Sequence, residues 1–317
     1  MEILILILGA GLVGAFVGGG GSSGDGGTGA EEPPMGEGPE PTEEGTPGPD
    51  TFAGTILDDV IFGRGGNDTI NGDVGNDFLD GNSGNDQVFG DVGDDEVRGG
   101  AGDDLLGGGT GLDTLFGGED DDTLRGGADN DELFGGANAD FLEGDGGDDT
   151  LDGGFGADFL IGNLGSDVLL GDLGNDTLVG ITGDFEDVPT TDNSGTDILA
   201  GDEGSDIIVL GTGDEAFGEE RGGAEADGAG DTFVVGTWIG TPAPMIRDFD
   251  PDVDVIDIRF EPLAVLDDMP TIAPDGTMSF VVSFDGDPIV NVETATPADV
   301  LTLDQVLLNG TPVPVVV

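Results

Sequence analysis

An aspartate stands at every ninth residue from Asp59 to Asp176, and each is followed two residues later by Ile, Leu or Val. In units of nine counted from Gly54, such as GRGGNDTIN (63–71), GDVGNDFLD (72–80), GNSGNDQVF (81–89) and GDLGNDTLV (171–179), position one is Gly, position six is Asp and position eight is aliphatic in all fourteen units. Carboxylates repeated beside glycine-rich turns suit one chemistry above others, the holding of a hard divalent cation by oxygen donors. Turn carbonyls can converge with a carboxylate in a flexible ring. Such a ring suits Ca2+ better than Mg2+, which demands a tighter octahedron and keeps its waters. Position four is Gly in ten units; among the exceptions Leu57, Asp120, Asp129 and Asn138, the three Asx residues tolerate a left-handed backbone, as a turn requires.

To bring these aspartates together, the unit must divide into a turn (positions one to six) and a short strand (positions seven to nine), with two units making a coil of eighteen residues. Side chains alternate along a strand, so position eight points inward to a core and positions seven and nine point out. Stacked at roughly 4.8 Å per coil, the aspartates fall into two columns. One holds Asp59, Asp77, Asp95, Asp113, Asp131, Asp149 and Asp167; the other holds Asp68, Asp86, Asp104, Asp122, Asp140, Asp158 and Asp176. Bare carboxylates this close repel, and an ion between neighbours turns that repulsion into cohesion. About six ions per column are expected, carrying roughly 24 positive charges. The register lapses at 180–191, a Thr/Asp-rich insertion expected to be a surface loop, and resumes over 192–209 with two further candidate ligands, Asp197 and Asp206.

Composition points the same way. The 317 residues hold 69 acidic and 6 basic side chains, every basic one an arginine, for a formal charge of −63. Such a polyanion repels nucleic acid and anionic membranes and resists compaction unless cations are bound. With 65 glycines as well, the chain would read as disordered without an organising ligand. The absence of His and Cys excludes the usual zinc sites, a Ser-His pair, a thiol nucleophile and any disulfide. Bound metal is one alternative staple.

Four regions are expected. Residues 1–18 contain an apolar run (ILILILGAGLVGAFV, 3–17) without a basic flank, read as a membrane-inserting anchor or atypical signal. Residues 19–50 are Gly, Pro, Glu and Thr with almost no aliphatics, read as a disordered spacer. Residues 51–230 form the repeat region. Residues 231–317 form a β-rich cap, where TFVVGTW, MIRDF, DVIDIRF, MSFVVSF and IVNVETA look like strands and Asp285-Gly286-Asp287 a hairpin turn. Among outward positions, Phe116 and Phe134 should stack on one face, and Phe141, Phe159, Ile161 and Val179 should gather on the other.

The units resemble the RTX (repeats-in-toxin, or hemolysin-type) family, whose motif is G-G-x-G-x-D-x-U-x with U aliphatic; the likeness covers 54–209 with one interruption. DTFVVG (231–236) and IRDFDPDVDVIDI (246–258) resemble the region following such repeats in secreted bacterial proteins. The resemblance implies an all-β, right-handed parallel β-roll with Ca2+ held between turns by carbonyls and the position-six aspartates. It also implies export from a Gram-negative bacterium by a type I secretion apparatus through a C-terminal signal. The chain departs from the motif at position two, often Asp, Asn or Arg, and by its apolar N-terminus.

The expected function is therefore a calcium-binding, non-enzymatic, extracellular or cell-surface protein that folds on Ca2+ after export and serves a structural or adhesive role. Its partners would be calcium ions, the secretion apparatus and a cell-surface or matrix component, with no nucleic acid and with membrane contact only through residues 3–17. The alternative is a secreted hydrolase with a carboxylate site in the cap at Asp248, Asp250 or Asp254. Ice binding would want an unbroken Thr row, which position seven lacks; mineral binding stays open.

Overall fold

The computed structural model describes residues 42–181, 195–218, 229–236, 243–249, 253–259, 271–274, 279–284, 287–294, 306–308 and 311–312. The expected anchor, most of the expected spacer and most of the 180–191 insertion lie outside these residues.

Among the described residues there is no helix, and the strands form two sheets of 14 and 13 strands. Successive strands alternate between them. Val60–Phe62, Phe78–Ser83, Glu96–Ala101 and Thr114–Glu119 lie in the first sheet; Thr69–Asn71, Gln87–Val92, Leu105–Thr110 and Thr123–Ala128 lie in the second. Neighbours within a sheet are parallel and one coil apart in sequence, as in Leu115↔Leu133 and Leu124↔Leu142. Parallel pairing needs a crossover, and here the opposite half of each coil supplies it. The result is a β-solenoid of about nine turns.

The core follows from position eight. Ile61, Ile70, Leu79, Val88, Val97, Leu106 and their successors to Leu178 are all fully buried between the sheets. Each such aliphatic contributes roughly 1.5–3 kcal/mol of burial, and one per unit is all the narrow interior admits. Mid-roll strands are longer than the three residues expected: Thr123–Ala128 runs from position seven into position three of the next unit. The backbone there passes through a left-handed residue at position two, with φ of 76° at Arg64, 73° at Asp73 and 69° at Asn82. That conformation is why Gly, Asn and Asp share the position. Position four is left-handed too where Asp120, Asp129 and Asn138 replace glycine, with φ near 79°, 78° and 78°. At Gly84, φ is 132° and a Cβ would fall 1.8 Å from Gly66 O in the preceding coil, so stacking itself demands glycine there.

The stack begins within the residues expected as spacer. Glu43–Glu44 pairs with Val60–Phe62, and Thr51–Ala53 pairs with Thr69–Asn71. The insertion does not break the pairing: Val168↔Ile198 and Thr177↔Ile207 resume it with a 30-residue step. Nor does a break in the sheets fall at 231. Thr232–Gly236 pairs parallel with Ile207–Leu210 and then with Val255–Arg259, and only afterwards does the pairing turn antiparallel. Ser279–Phe284 and Asp287–Thr294 are antiparallel across residues 285–286, where a hairpin was expected.

On the outer faces, Phe116 and Phe134 stack with ring centroids 5.0 Å apart, and Phe141 and Phe159 stack at 5.6 Å. Near the latter pair, Val179, Ile181, Val209 and Val234 form a second buried cluster outside the main core, with Phe159 and Ile161 packed against it.

Candidate metal centre

The position-six aspartate sits where the turn feeds the strand, and the coil above fixes its backbone. Its carbonyl accepts the position-seven N–H of the next coil, as in Phe78 N to Asp59 O at 2.9 Å and Thr123 N to Asp104 O at 2.9 Å. Its side chain points down the stack. Each Oδ1 accepts the backbone N–H of the aspartate one coil earlier: Asp59 N to Asp77 Oδ1 at 2.7 Å, Asp77 N to Asp95 at 2.8 Å, Asp68 N to Asp86 at 2.6 Å and Asp104 N to Asp122 at 2.8 Å. The two expected columns are thus hydrogen-bonded ladders.

The second oxygen is different. In Asp68, Asp77, Asp86, Asp95, Asp104, Asp113, Asp122, Asp131, Asp140, Asp149, Asp158, Asp167 and Asp176, Oδ2 is buried without a hydrogen-bond partner. These residues are at most 3% exposed. A buried, unpaired carboxylate oxygen costs several kcal/mol unless something compensates it. The same oxygen explains position one: a Cβ on Gly63 would lie 2.4 Å from Asp68 Oδ2 and 2.9 Å from Gly81 O. The missing side chain leaves a space bordered by a carboxylate oxygen and a carbonyl oxygen, both suited to a hard cation.

Burial raises the carboxyl pKa values of the column aspartates from Asp68 to Asp176, the backbone N–H bond to each pulls them back, and neighbouring carboxylates raise them further. Asp86, Asp113, Asp158 and Asp167 reach about 6. Asp95, Asp104, Asp131 and Asp140 reach about 7, and Asp122, Asp149 and Asp176 about 8. Near neutral pH such groups need either a proton or a cation. Among the described residues no three acidic side chains converge as an all-carboxylate cage, so backbone carbonyls must complete a coordination shell. The donor set fits Ca2+, which accepts carbonyl and carboxylate oxygens at varied angles.

Asp197 and Asp206 keep their places despite the insertion. Asp167 N donates to Asp197 Oδ1 at 2.9 Å and Asp176 N to Asp206 Oδ1 at 2.8 Å. Four residues outside the expected set extend the ladders. Asp50 N donates to Asp68 Oδ1 at 2.7 Å; Asp214, Asp231 and Asp254 accept from Asp197, Asp206 and Asp231 N at 3.0, 2.9 and 3.0 Å. Asp50 was legible, because Gly45, Gly48 and Asp50 hold the nine-residue register; two prolines and Phe52 in place of an aliphatic disguised it. At the other end the spacing is irregular, and only the local Asp-x-apolar order of Asp231-Thr-Phe and Asp254-Val-Ile marks them.

The hydrolase alternative loses one of its three residues: Asp254 is 2% exposed and a rung of a ladder, not a cleft group. Asp250 lies outside the described residues, and Asp248 is in the strand Met245–Phe249.

The family described as RTX calcium-binding nonapeptide repeat (4 copies) matches residues 44–79, 72–106, 80–115, 107–142, 143–178 and 191–216, together just over half of the chain. No curated protein matches it.

Proposed function

The chain belongs to the RTX calcium-binding nonapeptide-repeat family, and from that premise we propose that it is a non-enzymatic extracellular or cell-surface protein, structural or adhesive in role, whose roll forms on Ca2+ after export. Calcium binding itself follows from the family and its Asp-rich turns. The finer reading assigns ligands: the carboxylates from Asp68 to Asp176 at nine-residue steps, then Asp197 and Asp206, with turn carbonyls completing each shell; Asp59, expected among them, is left out because its Oδ2 accepts Thr55 N at 2.6 Å. Bound Ca2+ supplies the positive charge that lets adjacent buried carboxylates stay ionised. The protein's part is to present oxygens from two coils at once and to shield them from water, so that the ion ties coil to coil.

The observation carrying this reading is the thirteen-fold repetition of a buried carboxylate oxygen without a hydrogen-bond partner, in two columns. Extracellular placement is supported by affinity arithmetic. Sites of roughly 10⁻⁶ to 10⁻³ M stay empty where calcium is scarce and fill where it is abundant. In this reading residues 1–18 address or tether the chain, the part of 19–50 that precedes the first strand at Glu43 spaces it from the roll, and 231–317 close the stack and carry a signal for a type I secretion apparatus. Isothermal titration of the intact, chelator-stripped chain should give multi-site calcium uptake that magnesium does not reproduce. No stoichiometric uptake would rule the reading out.

A further inference from the structure

The columns do not end as they run. Building on the calcium reading above, we infer that Asp50, Asp59 and Asp214 are metal-free end caps that bracket the ion-binding span. From Asp68 to Asp176 every Oδ2 is buried and lacks a hydrogen-bond partner. At the ends it is engaged. Thr46 N donates to Asp50 Oδ2 at 2.6 Å and the Thr46 hydroxyl at 2.8 Å. Thr55 N donates to Asp59 Oδ2 at 2.6 Å, and Gly211 N to Asp214 Oδ2 at 2.6 Å.

The N-terminal difference is written at position two. Inside the span that residue is left-handed, as at Arg64, Asp73 and Asp91 with φ of 76°, 73° and 71°. Thr46 and Thr55 are β-branched, a residue type that avoids this conformation, and neither is among the left-handed residues. Their N–H groups turn instead onto the aspartate four residues on. Each threonine hydroxyl also accepts a turn N–H, from Gly48 at 3.3 Å and from Leu57 at 3.2 Å.

An ion shared between coils draws oxygens from both, and at the end of a column the next coil offers no carboxylate: Glu215 pairs with Met245, so Pro244 stands where an aspartate would follow Asp214. A carboxylate left there without a donor would be an uncompensated buried charge. An N–H aimed at its oxygen stabilises the anion and places the positive end of a dipole where a cation would approach. Solenoids need atypical terminal units for the same reason, to finish a stack that has no next repeat.

The test is calcium content of the intact chain, measured by equilibrium dialysis with metal analysis, for single Asp→Asn variants that keep the Oδ1 acceptor. Asp68→Asn and Asp77→Asn should each lower the count by about one ion or more. Asp50→Asn, Asp59→Asn and Asp214→Asn should leave it at the wild-type value. Fraying of a terminal coil in the Asp50 or Asp59 variant does not blur this, since a coil that holds no ion takes none with it. A lower count in any of these three variants overturns the cap assignment. If the wild type takes up no calcium, or Asp68→Asn and Asp77→Asn both keep the full count, the ligand reading fails instead.

Discussion

From Asp68 to Asp176 the two oxygens of each column aspartate differ: Oδ1 accepts an N–H from the coil before, while Oδ2 is buried without a hydrogen-bond partner, the place that the proposed reading gives to an ion. The consequence for pH has a definite sign. Asp122, Asp149 and Asp176 are pushed up to about 8, chiefly by burial, and Asp86 and Asp113 to about 6. These folded values lie above those of an unfolded chain, near 4. The metal-free roll therefore binds more protons than the coil between about pH 4 and 8, and its stability falls as pH rises through that window. Calcium competes for the same oxygens, so its affinity should weaken as pH drops from about 8 towards 6. Calcium titrations at several pH values check this; an affinity that does not change over the range would contradict the ligand assignment.

At the scale of the strand and turn, stability is a sum of nearly identical layers. Leu133 is fully buried between the sheets, in register with Leu115 and Leu151 in the coils on either side and in the same buried cluster. Leu133→Ala should cost roughly 2–5 kcal/mol, read as a lower denaturation midpoint of the calcium-loaded chain; a change within error would mean that the core is not set at position eight. The regular layers were legible because period, face and turn all agree: position eight inward, position six in columns, position four left-handed at Asp120, Asp129 and Asn138. Legibility failed where chemistry stayed but spacing changed. Asp214 arrives one residue early, and Asp231 and Asp254 follow steps of 25 and 23 residues, so only pairing in space identifies them. The engagement of Asp59 Oδ2 by Thr55 was hidden for another reason, since it depends on a backbone angle that a motif does not record.

For the whole molecule the governing quantity is a net charge of −63. The folded columns place carboxylates in a row a few ångströms apart, and the proposed reading has divalent ions decide between that roll and an expanded polyanion. If each ion joins two coils as proposed, and with interior coils packed on two neighbours, uptake and folding should be cooperative along the stack. The most direct measurement is far-UV circular dichroism of the intact chain at neutral pH, first in chelator and then through a calcium titration. The account predicts a coil-like spectrum that becomes β-rich over a narrow calcium range and is not converted by the same concentration of magnesium. A β spectrum already complete in chelator would contradict it.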